Sequence, residues 1–170
     1  VFEHMRESLV ATKREHEATL QEMHKFNVAI ENSVSSVIIT DERGIIEYTN
    51  PQFSQTTGYR PEEVRGLHVS ILKSGYTPSE HYQDLWATLR TGHAWKGELL
   101  NRRKEGELYW ETVTISPVRD DESGRIIHYI SIQHDISDRK RVEARLDFVS
   151  SYDALTRLPN RALLNLRFGD

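Results

Sequence analysis

The chain has 170 residues, 37% of them hydrophobic, and a formal net charge of −4 with both signs interspersed, which argues against a dedicated nucleic-acid surface. It contains no cysteine, so disulfides, thiolate metal sites and thiol redox chemistry are excluded. No apolar run reaches membrane-span length and no basic-apolar leader is recognisable, so no membrane segment is expected in this chain and its expected setting is cytoplasmic.

Residues 1–30 lack Gly and Pro and are dense in Glu, Lys, Arg, His and Ala, a composition that predicts one long helix. Phe2, Leu9, His16, Met23 and Ile30 recur every seven residues, with Met5, Thr12, Thr19 and Phe26 as the companion seam. This imperfect heptad predicts a parallel coiled-coil dimer, the alternative being one amphipathic helix packed on the following domain. From about Asn32 the texture changes to short β-branched runs: Val37–Thr40 and Ile45–Tyr48 read as two strands joined by a turn at Asp41–Gly44. Asn50-Pro51 starts a short helix, since Asn caps and Pro is tolerated in a first turn. Gly58, Pro61 and Gly66 divide the next stretch into brief helical pieces. A longer helix is predicted over Ser79–Arg90, where Tyr82, Leu85, Trp86 and Leu89 share a face and Gly92 supplies the stop.

Three strands follow, Trp95–Arg102, Glu107–Pro117 and Ile126–His134, joined by turns at Arg103–Gly106 and Asp120–Gly124. Tyr109, Glu111, Val113 and Ile115 alternate with Trp110, Thr112 and Thr114, as expected of a sheet with one face on a core. A final helix from Asp138 carries Val142, Leu146 and Val149 on one stripe, with Ser137 as its expected cap.

The order of two strands, small helices and three strands, together with Asp41-x-x-Gly44, Asn50-Pro-x-Phe53, Thr57-Gly58-Tyr59, Trp95-x-Gly97-Glu98, Asn101-Arg-Arg-Lys-x-Gly106 and Asp135-Ile136-Ser137, resembles a PAS sensor domain. That resemblance implies an α+β fold: a five-stranded antiparallel sheet with helices on one face, flanked by N- and C-terminal signalling helices. Asp153-Ala-Leu-Thr-Arg-Leu-Pro-Asn-Arg161 resembles the opening of a GGDEF diguanylate cyclase domain. The organisation expected is therefore an N-terminal helix over 1–30, a PAS domain over 31–137, a linker helix over 138–151 and the start of a GGDEF domain over 152–170. The GG[DE]EF segment itself does not occur, so cyclase activity is not expected of these residues.

Within the family, Leu72-Lys-Ser-Gly75, Thr77-Pro78, Tyr82-x-x-Leu85-Trp86, Trp95, Asn101-Arg-Arg103 and Leu108-Tyr109 resemble the flavin-binding PAS domains of nitrogen-fixation redox sensors and the aerotaxis receptor. By that resemblance FAD occupies the cavity non-covalently, with Trp86 bordering the ring, Asn101 on a heteroatom edge, and Ser131 or Gln133 near flavin N5. Val69 departs from relatives that carry an acidic residue in this segment, and the missing cysteine rules out a photochemical cysteine adduct. Haem, with His81 as axial ligand, is a weaker expectation, and an empty cavity filled by side chains is the third. His128 and His134 fall on one strand face without a third metal ligand. Arg102, Arg103 and Lys104 read as an exposed basic turn rather than a nucleic-acid surface. The expected function is a homodimeric sensor, joined through the N-terminal helix and PAS domain, controlling a cyclase in cis. Asp135, Ile136 and Ser137 would transmit the signal. The rival readings are a constitutive dimerisation scaffold and a protein-interaction module.

Overall fold

The computed structural model describes residues 2–151; the Asp153–Arg161 motif lies outside the described residues. Helix α1 runs over Phe2–Glu31, and along it Met5, Leu9, Met23 and Phe26 remain exposed. Its C-terminal end is fastened to the next domain: Asn50 Nδ2 donates to the Ile30 carbonyl at 3.0 Å and the Tyr48 hydroxyl to Glu31 Oε1 at 2.5 Å.

Five strands form where the sequence predicts them, with ends shifted by no more than two residues: β1 (Ser36–Asp41), β2 (Ile46–Thr49), β3 (Trp95–Arg102), β4 (Leu108–Arg119) and β5 (Ile126–Asp135). They form one antiparallel sheet in the order β2-β1-β5-β4-β3. Strand β4 extends two residues past the predicted Pro117. Its partner β3 ends opposite Ile115, so Pro117 lies where β4 pairs with β5 alone, a position that tolerates a missing N–H.

Between β2 and β3 lie α2 (Pro51–Thr57), α3 (Pro61–Val64), a 3-10 turn (Val69–Leu72) and α4 (Ser79–Arg90). These cover the inner face of the sheet in two apolar clusters, Ile38, Ile46, Phe53, Val64 and Leu72 in one and Leu85, Leu89, Trp95, Leu99, Val113 and Tyr129 in the other. Asn50 organises their junction. Fully buried, it accepts from Phe53 N–H as the cap of α2 and from Val37 N–H, and it donates to the Ile30 and Ser35 carbonyls. Gly58 ends α2 at φ 79°, the left-handed conformation that favours glycine. The outer sheet face carries Trp110, Ile130 and Ile132, with Ile132 50% exposed.

Helix α5 (Ser137–Ser151) leaves from the end of β5. Ser137 does not cap it as expected: its hydroxyl accepts Trp110 N–H at 3.0 Å. The first helical N–H taken up is that of Lys140, bonded to the Ile136 carbonyl at 2.9 Å, which puts Ile136 in the capping position.

Candidate functional site: the inner cavity and its link to the exit helix

Between the two apolar clusters the sheet and helices enclose a cavity of about 80 Å3. Ile38, Leu85, Leu89, Leu99, Val113 and Ile115 supply apolar wall, and Asn101, Glu111, Ser131 and Gln133 make one polar end. All four polar residues are buried. Asn101 Nδ2 donates to Glu111 Oε1 at 2.7 Å and Gln133 Nε2 to Ser131 Oγ at 3.2 Å. Gln133 Oε1 is buried with no hydrogen-bond partner among the described residues. Burial pushes the Glu111 carboxyl up to about 8, against the pull of the Asn101 amide, so at neutral pH it is mostly a neutral acid with a proton to donate. Burial and the neighbouring Glu111 charge also push the Tyr109 hydroxyl up.

Trp86 lies on the cavity wall and packs edge-on against Tyr129, ring centroids 5.8 Å apart at 81°. Beyond this pair Glu42, Arg43, His68 and Arg90 line an outer groove. Gly44 borders the same cavity at φ 81°, and a Cβ there would fall 2.9 Å from His68 Nε2 and 3.4 Å from Trp86. Its side-chain-free backbone is what lets the β1–β2 turn approach the wall. His68 Nδ1 accepts Ser70 N–H at 3.1 Å, which leaves Nε2 to carry the proton of the neutral ring.

From the polar end a continuous set of contacts runs to α5. The Arg103 guanidinium sits 4.5 Å above the Tyr109 ring, donates to Asp135 Oδ2 at 2.6 Å and bonds the Thr56 carbonyl. Asp135 Oδ1 accepts Ser137 N–H at 2.9 Å. Burial raises the Asp135 carboxyl, but the Ser137 and Arg103 contacts outweigh it and hold its pKa below the ordinary value. Ile136 is buried and its N–H donates to the Trp110 carbonyl at 2.8 Å. Arg139 and Lys140 then pair with Glu98 at 2.7 and 2.5 Å, and Lys140 lies over the Trp110 ring. The first turn of α5 is thereby pinned to β3 and β4.

Trp86, Asn101, Ser131 and Gln133 thus meet around one cavity, while Asp135, Ile136 and Ser137 form the root of α5. Two expectations need correction. Arg103 is no exposed turn residue: its side chain is 22% exposed, because the hairpin folds back so that the guanidinium reaches α2 and β5. His81 is exposed on the outer side of α4, edge-on to Trp95 at 6.0 Å, and is not part of the cavity wall, so it offers no axial ligand there. His128 and His134 lie on the outer sheet face, His128 Nδ1 being 3.1 Å from Glu47. No group of three metal-ligating side chains occurs among the described residues. Sequence reasoning missed Glu111, His68 and Lys73 on the wall. The first was within reach, since Glu111 shares the inward phase of Tyr109 and Val113.

A PAS domain family profile matches residues 34–138. The chain is similar to the nitrogen fixation regulatory protein of Klebsiella oxytoca, 36% identical over 128 residues, which span 75% of this chain and 26% of that protein. It is also similar in structure to an RNA-binding light-oxygen-voltage receptor, with a TM-score of 0.67 and 25% identity over 75% of this chain and 37% of the other. A second structure, of a light-oxygen-voltage domain studied with a flavin analogue, superposes with a TM-score of 0.61 at 25% identity over 72% of this chain and 93% of the other. The chain spans about a quarter of the length of its curated relative. With the family pattern covering most of the sheet-and-helix unit just described, the chain belongs to the PAS domain family.

Proposed function

We propose that this chain is a cytoplasmic, flavin-binding sensory PAS module, working as a parallel homodimer, that controls a diguanylate cyclase following it in the same protein. The observation that carries the reading is the polar end of the cavity. Asn101, the neutral Glu111 carboxyl and the unpartnered Gln133 Oε1 offer donors and an acceptor on buried strands, which suits the carbonyl–NH–carbonyl edge of a flavin ring. The flavin studied in a structural neighbour supports this choice of ligand. A bound flavin supplies a reversible redox centre, and this chain's part is to hold its polar edge, exclude water with apolar walls and report a change to α5.

The reporting path is the one from Glu111 and Tyr109 through Arg103 to Asp135 and Ser137. A ligand shifts it only by binding the two arrangements of the cavity with different affinity. The cyclase assignment rests on the Asp153–Arg161 motif, and FAD rather than another flavin on the resemblance of the Leu72–Gly75 and Asn101–Arg103 segments. In the basic hairpin Arg103 and Lys104 are paired with Asp135 and Glu63, which supports reading these two side chains as packing elements of the domain.

The cavity volume favours a second reading. About 80 Å3 falls below the roughly 300 Å3 of ordinary small-molecule sites, so a three-ring ligand requires the cavity wall to open, whereas a cofactor-free scaffold needs no such movement. Absorption of the purified protein between the near ultraviolet and blue decides between them. A flavin spectrum, or its appearance on reconstitution with FAD, supports the sensor, and colourless protein that takes up no flavin supports the scaffold.

A further inference from the structure

We infer that Glu111 is a proton-operated switch for the root of α5: with its proton it leaves the Arg103 guanidinium to Asp135, and ionised it competes with Asp135 for that cation and loosens the first turn of the helix. Every group involved belongs to the chain, so the switch works with no ligand bound and does not depend on the flavin reading.

Glu111 and Asp135 are direct cross-strand partners in the β4–β5 register, with Val113 and Gln133 as the next pair but one on the same inner phase. Two negative charges opposite each other on one sheet face are destabilising. Arg103 is the cation that acts on both carboxyls. Its guanidinium lies over the ring of Tyr109, two residues before Glu111 on the inner face, and donates to Asp135 Oδ2 at 2.6 Å. Its remaining N–H groups go to the Thr56 carbonyl and to the exposed Glu107, 3.2 Å from Nε. Glu111 has the Asn101 amide at 2.7 Å instead. That division of partners is the one a neutral Glu111 permits. Deprotonation places a second carboxylate beside one guanidinium and opposite Asp135, whose other oxygen holds Ser137 N–H at 2.9 Å. Among the neighbours, Asp135 keeps its charge because its contacts hold its pKa below the ordinary value, and Tyr109 stays neutral because burial pushes its hydroxyl up. Tyr129 faces the cavity from β5, and His68, Lys73 and Tyr82 from the helical side. His68 is the competing proton site, since imidazole is the other side chain that titrates near neutrality, and Lys73 the competing cation. Coupling of this kind is reciprocal: a ligand that accepts from the Glu111 hydroxyl holds the proton in place and keeps α5 pinned.

The test is carboxyl and amide NMR of the ligand-free chain across the neutral and alkaline range. The Glu111 carboxyl should titrate at about 8. Amide exchange at Ser137–Arg141 should rise with the same midpoint, reaching about tenfold that of Glu111→Gln at equal pH, the population change that one pKa unit of coupling represents. Asp135→Asn should lower the Glu111 midpoint by about one pH unit, because it removes the opposing charge and frees Arg103, and Arg103→Leu should raise it. Opposite shifts from the two partners are not produced by simple loosening of the fold. Identical exchange profiles in the chain and in Glu111→Gln would overturn the inference, as would a Glu111 midpoint that Asp135→Asn leaves in place. A transition abolished by His68→Gln would assign the proton to the imidazole, and a midpoint raised by Lys73→Met but not by Arg103→Leu would assign the cation to Lys73; either overturns it. A chain that takes up no flavin leaves every one of these readings in force.

Discussion

Replacing Glu111 by Gln should remove a pH dependence that folding confers on this domain. The carboxyl is 1% exposed, and its pKa rises from 4.5 to about 8, chiefly through burial, with the Asp135 charge adding to the rise and the Asn101 amide and Arg103 opposing it. An acid whose pKa is raised by folding holds its proton more tightly folded than unfolded. Its contribution is therefore complete below pH 4.5 and is lost as pH climbs toward 8. Taking those two values, the loss between pH 5 and pH 8 is on the order of 3 kcal/mol. Urea unfolding of the chain and of Glu111→Gln at several pH values reads this directly, since Gln keeps an acceptor for Asn101 but does not titrate. The stability of the original should fall relative to the variant across this window. Parallel profiles would refute the argument, because they would mean that the carboxylate is as well solvated folded as unfolded.

Arg103→Leu should destabilise the domain by about 1–3 kcal/mol, because it leaves Asp135 without its guanidinium partner, and amide exchange should speed first at Ser137–Arg141; Arg102→Leu, on an exposed position, should do neither. Asn50→Ala withdraws four hydrogen bonds from a fully buried site and should cost about 3 kcal/mol in chemical denaturation, a neutral result meaning that the surrounding backbone finds other partners. Deleting residues 1–26 should lower the mass measured by light scattering from dimer to monomer at tens of micromolar while far-ultraviolet circular dichroism retains the sheet signal. A monomeric intact chain, or a dimer that survives the deletion, would place the interface elsewhere.

The fold was largely legible because turn signals bound short β-branched runs and one strand alternates plainly. Period two sets the inward face of β4 on the core, and Ser79–Arg90 emerges as the helix that Tyr82, Leu85, Trp86 and Leu89 imply. Where reading failed, the deciding contact joins residues far apart in sequence. Arg103 looks like a hairpin charge until β5 delivers Asp135 beside it, 32 positions later. Ser137 has the chemistry of a cap, but Trp110 N–H, 27 positions away, claims its hydroxyl. Lys73 carries no local signal at all, since only packing shows that its neighbour is the Tyr82 ring rather than a carboxylate. Glu111 differs: its alternation phase already placed a carboxyl inside the sheet, and burial of that group is the anomaly that marks the site.

The strand pairing also explains how one cavity reaches both flanking helices. Ser36 opens β1 directly after the segment that ends α1, and it pairs with Gln133 near the close of β5. The C-terminal end of α1 and the N-terminal end of α5 therefore meet the same end of two adjacent strands. Asn50 fixes one junction through the Ile30 and Ser35 carbonyls, and Asp135 fixes the other through Ser137 N–H. Gln133 sits between them with its amide oxygen turned to no partner among the described residues. Rotation of that one amide changes what β5 offers the cavity, two residues before Asp135 and directly opposite the start of β1. Two copies joined along α1 would then carry their α5 helices away from the same end, side by side, and a small displacement at Gln133 would be felt at the root of each.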